Sequence, residues 1–395
     1  MMKYLLNPRL PAPHPSLDFI VTIPAHNEES LIAETLRALL IQTDPAGNPI
    51  DPDSFEILLL AHNCTDQTAA AARAAVRGPR PAVHVIEWET TAIDATVGAA
   101  RKAITELAAS RLSSLNKPDG IVATTDADTG VSPEWIFQTR REMKPNISAV
   151  AGCIEVDFTG VILTTPAITR YQHDYETYRR LCSELAAKLE PVAHEPGLRH
   201  EIHTAASYAV RASIHTEIGG IPSLERGEDI AFHRMILAAG HLVRHSPLVR
   251  VSTSGRDCGR VSGGLADALC GWTDCARNDG DYMVESPDVF IRYYSTRSRI
   301  RKRLETFHPE SIERAARLVA DLRFDGFSYR EALAILAEQP PVELFMEDLE
   351  TARQANPLQR PVPFRDAKSY LEQRIRPPVP TLHGELIAFS NTSIR

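Results

Sequence analysis

Ile121-Val122-Ala123-Thr124-Thr125-Asp126-Ala127-Asp128-Thr129-Gly130 is a short, apolar, β-branched run that ends in two carboxylates one residue apart. A run of that length bounded by turn residues reads as a buried strand. Asp126 and Asp128 then sit where the strand leaves its sheet, the place where ligands bind in open α/β sheets. Alternate residues along a strand point the same way, so both carboxylates can face one site. Asp-X-Asp at that position is a hard, oxygen-only site suited to Mg²⁺ or Mn²⁺ together with a substrate diphosphate. The plainer reading is a solvated turn, because Asp and Gly favour turns in any case.

The residues before this stretch set its context. Leu17 to Ile23 reads as a strand, broken by Pro24-Ala25-His26-Asn27-Glu28-Glu29. A helix is expected from about Glu28, with Asn27 as its N-cap and Ile32, Leu36, Leu39 and Leu40 on one face. The start of that helix could meet a ribose or a diphosphate, although Glu28 and Glu29 repel phosphate and favour a sugar hydroxyl or a base. A second strand, Phe55 to Leu60, leads into Ala61-His62-Asn63-Cys64-Thr65-Asp66-Gln67-Thr68, where Asp66 or Thr65 can cap the next helix. Val83 to Glu87 is a third strand. Val97 to Leu107 is a helix with Arg101 and Lys102 near its start, facing either a diphosphate or solvent. Four βα units in about 130 residues predict a parallel, doubly wound sheet. Gly-X-Gly-X-X-Gly after the first strand and Gly-X-X-X-X-Gly-Lys are both absent, which removes the warrant for a dinucleotide oxidoreductase or a P-loop NTPase.

Composition bounds the rest. The chain has 395 residues, with hydrophobic residues at 43%, charged residues at 24% and a formal net charge of −8. That is ordinary for a globular protein and argues against a general nucleic-acid binder. No apolar run reaches the roughly 18 residues needed to span a bilayer. The six cysteines form no Cys-X-X-Cys pair, and their scatter suits reduced thiols in the cytoplasm.

Downstream, Ala149 to Phe158 reads as a strand, Ile168 to Leu189 as a long helix, and Ala205 to Arg211 as a strand again. His194-Glu195-Pro196-Gly197-Leu198-Arg199-His200-Glu201-Ile202-His203 lacks His-Glu-X-X-His, and its Pro-Gly forbids one helix bearing all the ligands. It is expected to be a mobile loop over the site. Arg226-Gly227-Glu228-Asp229-Ile230 starts a helix. Ser254 to Gly264 is a Gly-rich loop whose Arg256 and Arg260 could close over an anionic leaving group. From residue 285 the chain reads as a helical extension. Its basic run, Arg292 to Arg303, is expected to be a solvated helix face, with peripheral contact to anionic lipid as the alternative.

Four pieces in order, Val21-Thr22-Ile23-Pro24-Ala25-His26-Asn27-Glu28-Glu29, Asn63-Cys64-Thr65-Asp66-Gln67-Thr68, Asp126-Ala127-Asp128 and Gly227-Glu228-Asp229, resemble family 2 glycosyltransferases over residues 17 to 265. The resemblance implies a GT-A fold: a doubly wound, mostly parallel α/β sheet, here with a helical C-terminal extension. It implies inverting transfer from a nucleotide-diphosphate sugar to an acceptor hydroxyl, assisted by a divalent cation (Mg²⁺ or Mn²⁺). Pro24, Ala25, His26 and Glu28 would line the nucleotide pocket, Asp126 would touch the ribose or donor sugar, and Asp128 would hold the metal. Asp229, paired with Glu228, would be the catalytic base. His62 and Ala61 stand where relatives often carry a carboxylate that reads the base. Val97 stands for a lysine of relatives, which leaves Arg101 as the candidate cation. The domain expectation is an arm over 1–16, a transferase domain over 17–284 in halves of 17–130 and 131–284, and the extension over 285–395. A sugar-nucleotide pyrophosphorylase and a non-catalytic sugar-nucleotide-binding protein are the competing readings. The first would want a Gly-rich, lysine-bearing loop in place of Pro24-Ala25-His26-Asn27, and the second predicts that Asp229 is dispensable.

Overall fold

Every residue of strand β1 (Phe19–Ala25) is buried, and the sheet is built outward from it. In this computed structural model, residues 9–76, 78, 81–91, 95–157, 166–254, 283–306, 330, 340–354 and 361–375 are described. β1 pairs in parallel with β2 (Phe55–His62) on one side and β4 (Ile121–Thr124) on the other, and β3 (Ala82–Trp88) pairs in parallel with β2. The full order is β3-β2-β1-β4-β7-β6-β8-β5. β7 (Tyr208–Arg211) sits antiparallel between β4 and β6 (Ala149–Asp157). β8 (Val243–Ser254) returns parallel to β6, and β5 (Thr129–Val131) lies antiparallel on its edge.

The pleat of β1 explains why helices cover both faces. Phe19, Val21 and Ile23 point into one core with Ile32, Leu36 and Leu39 of α1 (Ile32–Leu40), Ala69 and Ala72 of α2 (Thr68–Ala75), and Trp135 of α4 (Trp135–Glu142). Ile20 points the other way, with Leu58 and Leu60 of β2. It meets Ala100, Ile104, Ala108 and Leu112 of α3 (Val97–Ser114) and Phe232 and Ile236 of α7 (Glu228–Ala238). Period-two alternation along a central strand thus builds two apolar layers, the doubly wound arrangement expected. The short α6 (Ala212–Glu217) lies beside α3 on this second face.

Several local expectations need correction. The first helix begins at Ile32, not Glu28, and its N-cap position is Leu31. Asn27 is left-handed with φ 55°, and its side-chain carbonyl accepts from the backbone N–H of Thr65 at 2.8 Å. It stitches two turns together instead of capping a helix. β8 runs from Val243 to Ser254 straight through Pro247. The ladder shifts register between Gly152 and Cys153, and such an irregularity is where a strand accommodates proline.

A third core joins α5 (Pro166–Leu189) to the C-terminal helices α8 (Pro287–Glu305) and α10 (Phe364–Ile375) through Leu181, Leu185, Phe290, Tyr294, Phe364 and Leu371. A two-residue ladder, β9 (Met283–Val284) against β10 (Val362–Pro363), closes it. α9 (Val342–Gln354) packs on α8 and α7. The basic run on α8 is not wholly solvated. Arg297 and Arg301 are buried, and both pair with the fully buried Glu190, at 3.0 and 2.7 Å. Arg292, Lys302 and Arg303 are exposed. Among the described residues, no helix is long and apolar enough to cross a membrane.

Candidate active site

β4 ends at Thr124, and Asp126 and Asp128 lie in the turn between it and β5. The strand-pleat argument therefore does not reach them, and the two carboxylates are differently engaged. Asp126 pairs with Arg101 at 2.5 Å. Asp128 lines a cavity of about 580 Å³ with Thr35 of α1, Gln138 of α4, Glu155 of β6 and Arg250 and Ser252 of β8. The turn is held from below. The Thr35 hydroxyl donates to the carbonyl of buried Ala127 at 2.8 Å, and the Thr22 hydroxyl donates to the carbonyl of Ala123 at 3.0 Å.

Arg101 is buried, not turned to solvent. Its guanidinium donates to Asp126 with one arm and to Glu228 with the other. Burial alone would lower the pKa of this arginine, but the charges of Asp126 and then Glu228 outweigh it and hold the group above its usual range. Two glycines make this meeting possible. Gly227, at φ 71°, begins α7 in the left-handed region. Gly98 lets α3 press against the loop before α7, since a Cβ there would lie 2.2 Å from the carbonyl oxygen of Leu224.

Asp229 follows Glu228 in the first turn of α7. Its carboxylate accepts from the backbone N–H of Ala205 at 3.1 Å and of Ile230 at 2.9 Å. The carbonyl of the same Ala205 accepts from the Thr124 hydroxyl at 2.7 Å. The end of β4 and the start of α7 are thus tied twice, once through Arg101 and once through Ala205.

The first βα turn lies over the second. Pro24 and Ala25 are buried at the end of β1, His26 is exposed and Glu28 is buried. The His26 ring contacts the carbonyl of His62 at 2.9 Å, and buried His62 stacks on Trp88 with centroids 4.9 Å apart. Asp66 accepts from the backbone N–H of Thr68 at 3.0 Å and of Glu29 at 3.1 Å; it braces the two turns from one residue before Gln67, the N-cap position of α2, instead of capping the helix itself. Hydrogen bonds to its charged form depress its pKa against the opposing effect of desolvation. Glu29 is spent the same way, accepting from Gln67 N–H at 2.9 Å.

Residues 194 to 203, expected as a mobile loop, are anchored by buried side chains, although Pro196 and Gly197 are exposed. Glu195 and Arg199 are buried; Glu195 pairs with Arg244 at 2.8 Å and His245 at 2.7 Å, and Arg199 pairs with Glu190 at 2.8 Å. Nearby His203, His233 and His245 form a cluster that no reading of the segment alone could supply, because the second and third members come from α7 and β8. Arg256, Arg260 and the rest of the Gly-rich loop after Ser254 lie outside the described residues.

Among solved structures the chain is similar to residues 1–349 of TarS from S. aureus in complex with UDP, at 15% identity, covering 87% of this chain and 93% of that one with a TM-score of 0.42. It is similar to the mannosyltransferase PcManGT from Pyrobaculum calidifontis in complex with GDP-Man and Mn²⁺, at 17% identity, 89% and 92% coverage and a TM-score of 0.44. A third is the glucosyl-3-phosphoglycerate synthase from Mycobacterium tuberculosis with Mn²⁺, UDP and phosphoglyceric acid, at 15% identity, 66% and 78% coverage and a TM-score of 0.36. No curated protein matches the chain. Residues 20–203 match the family described as Glycosyl transferase family 2, a span that holds the first βα turn, the Asp126–Asp128 turn and Arg101. Through that region, somewhat less than half of its length, the chain is similar to glycosyl transferase family 2.

Proposed function

We propose that this protein is a glycosyltransferase that moves a sugar from a nucleotide-diphosphate sugar to an acceptor hydroxyl with inversion, using Asp229 as the base. The observation that carries the reading is Arg101. It ties the Asp126 turn after β4 to the Glu228–Asp229 turn at the start of α7, so two segments distant in sequence are held side by side.

Asp229 has the position and the spare capacity for the role. Each of its oxygens accepts one backbone hydrogen bond, and a carboxylate oxygen can accept a second. As the acceptor oxygen attacks the anomeric carbon, Asp229 takes its proton, and the bond to the diphosphate breaks with its electron pair leaving on the phosphate. Attack opposite the leaving group inverts the anomeric centre. Glu228 and Arg101 position the base and Asp126, and alignment of the reactants supplies much of the rate. Pro24, Ala25 and Glu28 would shape the nucleotide pocket with the exposed ring of His26, over His62. Arg256 and Arg260 would approach the leaving group from the Gly-rich loop.

The residues around Asp128 fit a hard cation. Its cavity carries carboxylate and hydroxyl groups from Glu34, Thr35, Ser132, Glu155 and Ser252 beside the guanidinium of Arg250, and among the described residues no His or Cys lines it. A Mg²⁺ or Mn²⁺ ion bound there supplies charge neutralisation for the departing diphosphate. We assign the described C-terminal helices α8, α9 and α10, which pack on α5 and α7, to shaping the acceptor side.

Asp229→Asn tests the base. Transfer from a radiolabelled nucleotide sugar is expected to fall by about 10²–10⁴-fold, with nucleotide affinity kept. Unchanged turnover in that variant rules the assignment out.

A further inference from the structure

His203, His233 and His245 offer ring nitrogens that all lie within 4.8 Å of one another. They come from three elements: the connection after α5, helix α7 and strand β8. Two of the rings are oriented by something other than a ligand. The Nδ1 of His245 meets the buried carboxylate of Glu195 at 2.7 Å, which leaves Nε2 to point elsewhere. The Nδ1 of His233 meets the Tyr208 hydroxyl at 3.1 Å, and its Nε2 is buried with no hydrogen-bond partner among the described residues. His233 itself is 0% exposed. The Nδ1 of His203 is likewise buried, with no hydrogen bond to the described residues.

A fourth group closes the set. Glu347, on α9 of the C-terminal region, brings its carboxylate 3.6 Å from His203 Nε2 and 3.9 Å from His233 Nε2. Buried polar atoms without partners cost free energy, and a histidine whose second nitrogen is held by a carboxylate is the arrangement of metal-bound imidazoles. Three imidazoles and one carboxylate suit a tetrahedral divalent ion of intermediate softness. In such a site, bonds of about 2.0–2.1 Å put the ligand nitrogens about 3.4 Å apart, so the stacked rings of His203 and His233, with centroids 4.2 Å apart, need only splay slightly.

We propose that His203, His233, His245 and Glu347 form a structural Zn²⁺ site that pins the C-terminal helices to the transferase core. This site shares no lining residue with the cavity of Asp128, and the proposal does not depend on the donor or base assignments. It has a consequence for the active site all the same. His233 stands one turn after Asp229 on the same face of α7, and His203 lies two residues before Ala205, whose N–H holds Asp229. A metal here would fix both supports of that carboxylate.

The test is metal binding by the full-length protein after chelation and dialysis. Titration with Co²⁺ is expected to give a saturable visible band of tetrahedral type at one equivalent, displaced by one equivalent of Zn²⁺, and Zn²⁺ is expected to raise Tm. The band should vanish in His203→Ala combined with His233→Gln. It should persist in Asp128→Asn. Glu195→Gln, which keeps every ligand, should weaken Zn²⁺ binding by about 10–100-fold. If the wild-type protein shows no saturable band, the proposal falls, and this measurement decides even where a histidine variant fails to fold. A band that survives the double variant, or that disappears in Asp128→Asn, also overturns it.

Discussion

Asp126 and Glu228 share one guanidinium, that of Arg101, although one carboxylate closes β4 and the other opens α7. Glu228 is almost wholly buried, whereas the Asp126 side chain is 32% exposed. Removing the cation therefore strands one buried charge and loosens a second that water can reach. Arg101→Met is expected to destabilise the fold by about 3–5 kcal/mol, the range for breaking one side of a buried pair, most of it from Glu228. Arg101→Lys should recover only part of that, because a single ammonium cannot span both carboxylates as the fork does. Urea unfolding midpoints of the two variants check the order, and equal stability of wild type and Arg101→Met would exclude the bridge.

The cation requirement should map to Asp128. Chelation is expected to abolish sugar transfer and added Mg²⁺ or Mn²⁺ to restore it, whereas Asp128→Asn should need far more cation for the same rate. Mg²⁺ has little affinity for imidazole clusters, so its ability to rescue would separate Asp128 from the histidine site. Full activity in excess chelator would defeat this assignment.

The parts legible in the sequence were those whose signal is local. β1, β2 and β3 announce themselves as runs such as Phe19-Ile20-Val21 and Leu58-Leu59-Leu60, and Gly227-Glu228-Asp229 marks the start of α7. Arg101 was not legible as a buried bridge. Its spacing on α3 is that of an ordinary surface cation, and both of its partners arrive through the tertiary fold. Arg297 and Arg301 misled for the same reason, because Glu190, which buries them, belongs to another segment. β5 has three residues, too few for any periodic pattern. The segment ending at His203 was weighed as a metal site by itself and set aside because proline and glycine break it. The ligands that could complete it stand on other elements, and the structure supplies them.

Gly98 tests how finely α3 is placed. A Cβ at this position would meet the backbone of Leu224 at 2.2 Å, and a backbone carbonyl cannot step aside as a flexible side chain can. Gly98→Ala should push α3 off the loop before α7 and carry Arg101 with it. Overpacking of this kind typically costs about 1–3 kcal/mol. The expected outcome is a modest fall in Tm with a larger fall in kcat, read from steady-state transfer beside thermal unfolding. A variant with wild-type kcat would show that the register of α3 against α7 is not needed for turnover.

Glu56 on β2 should shape the acid limb of stability. It is buried under α3, held by a two-armed contact from Arg111 (2.7 Å on one arm) and faced by His84 at 3.5 Å. Burial pushes its pKa up, but hydrogen bonding and charge from Arg111, with help from His84, outweigh this and leave it below the ordinary value of 4.5. A carboxylate depressed in the folded state binds its proton more readily when unfolded. Its contribution is therefore fully present above the unfolded value and is lost as the pH falls from about 4.5 through the lower folded value. Glu56→Gln should be less stable than wild type at neutral pH, and the gap between the two should shrink as the buffer is taken below pH 4.5. Urea midpoints measured for both proteins across that range decide the matter, and a gap that stays constant with pH would exclude Glu56 as a titrating contributor.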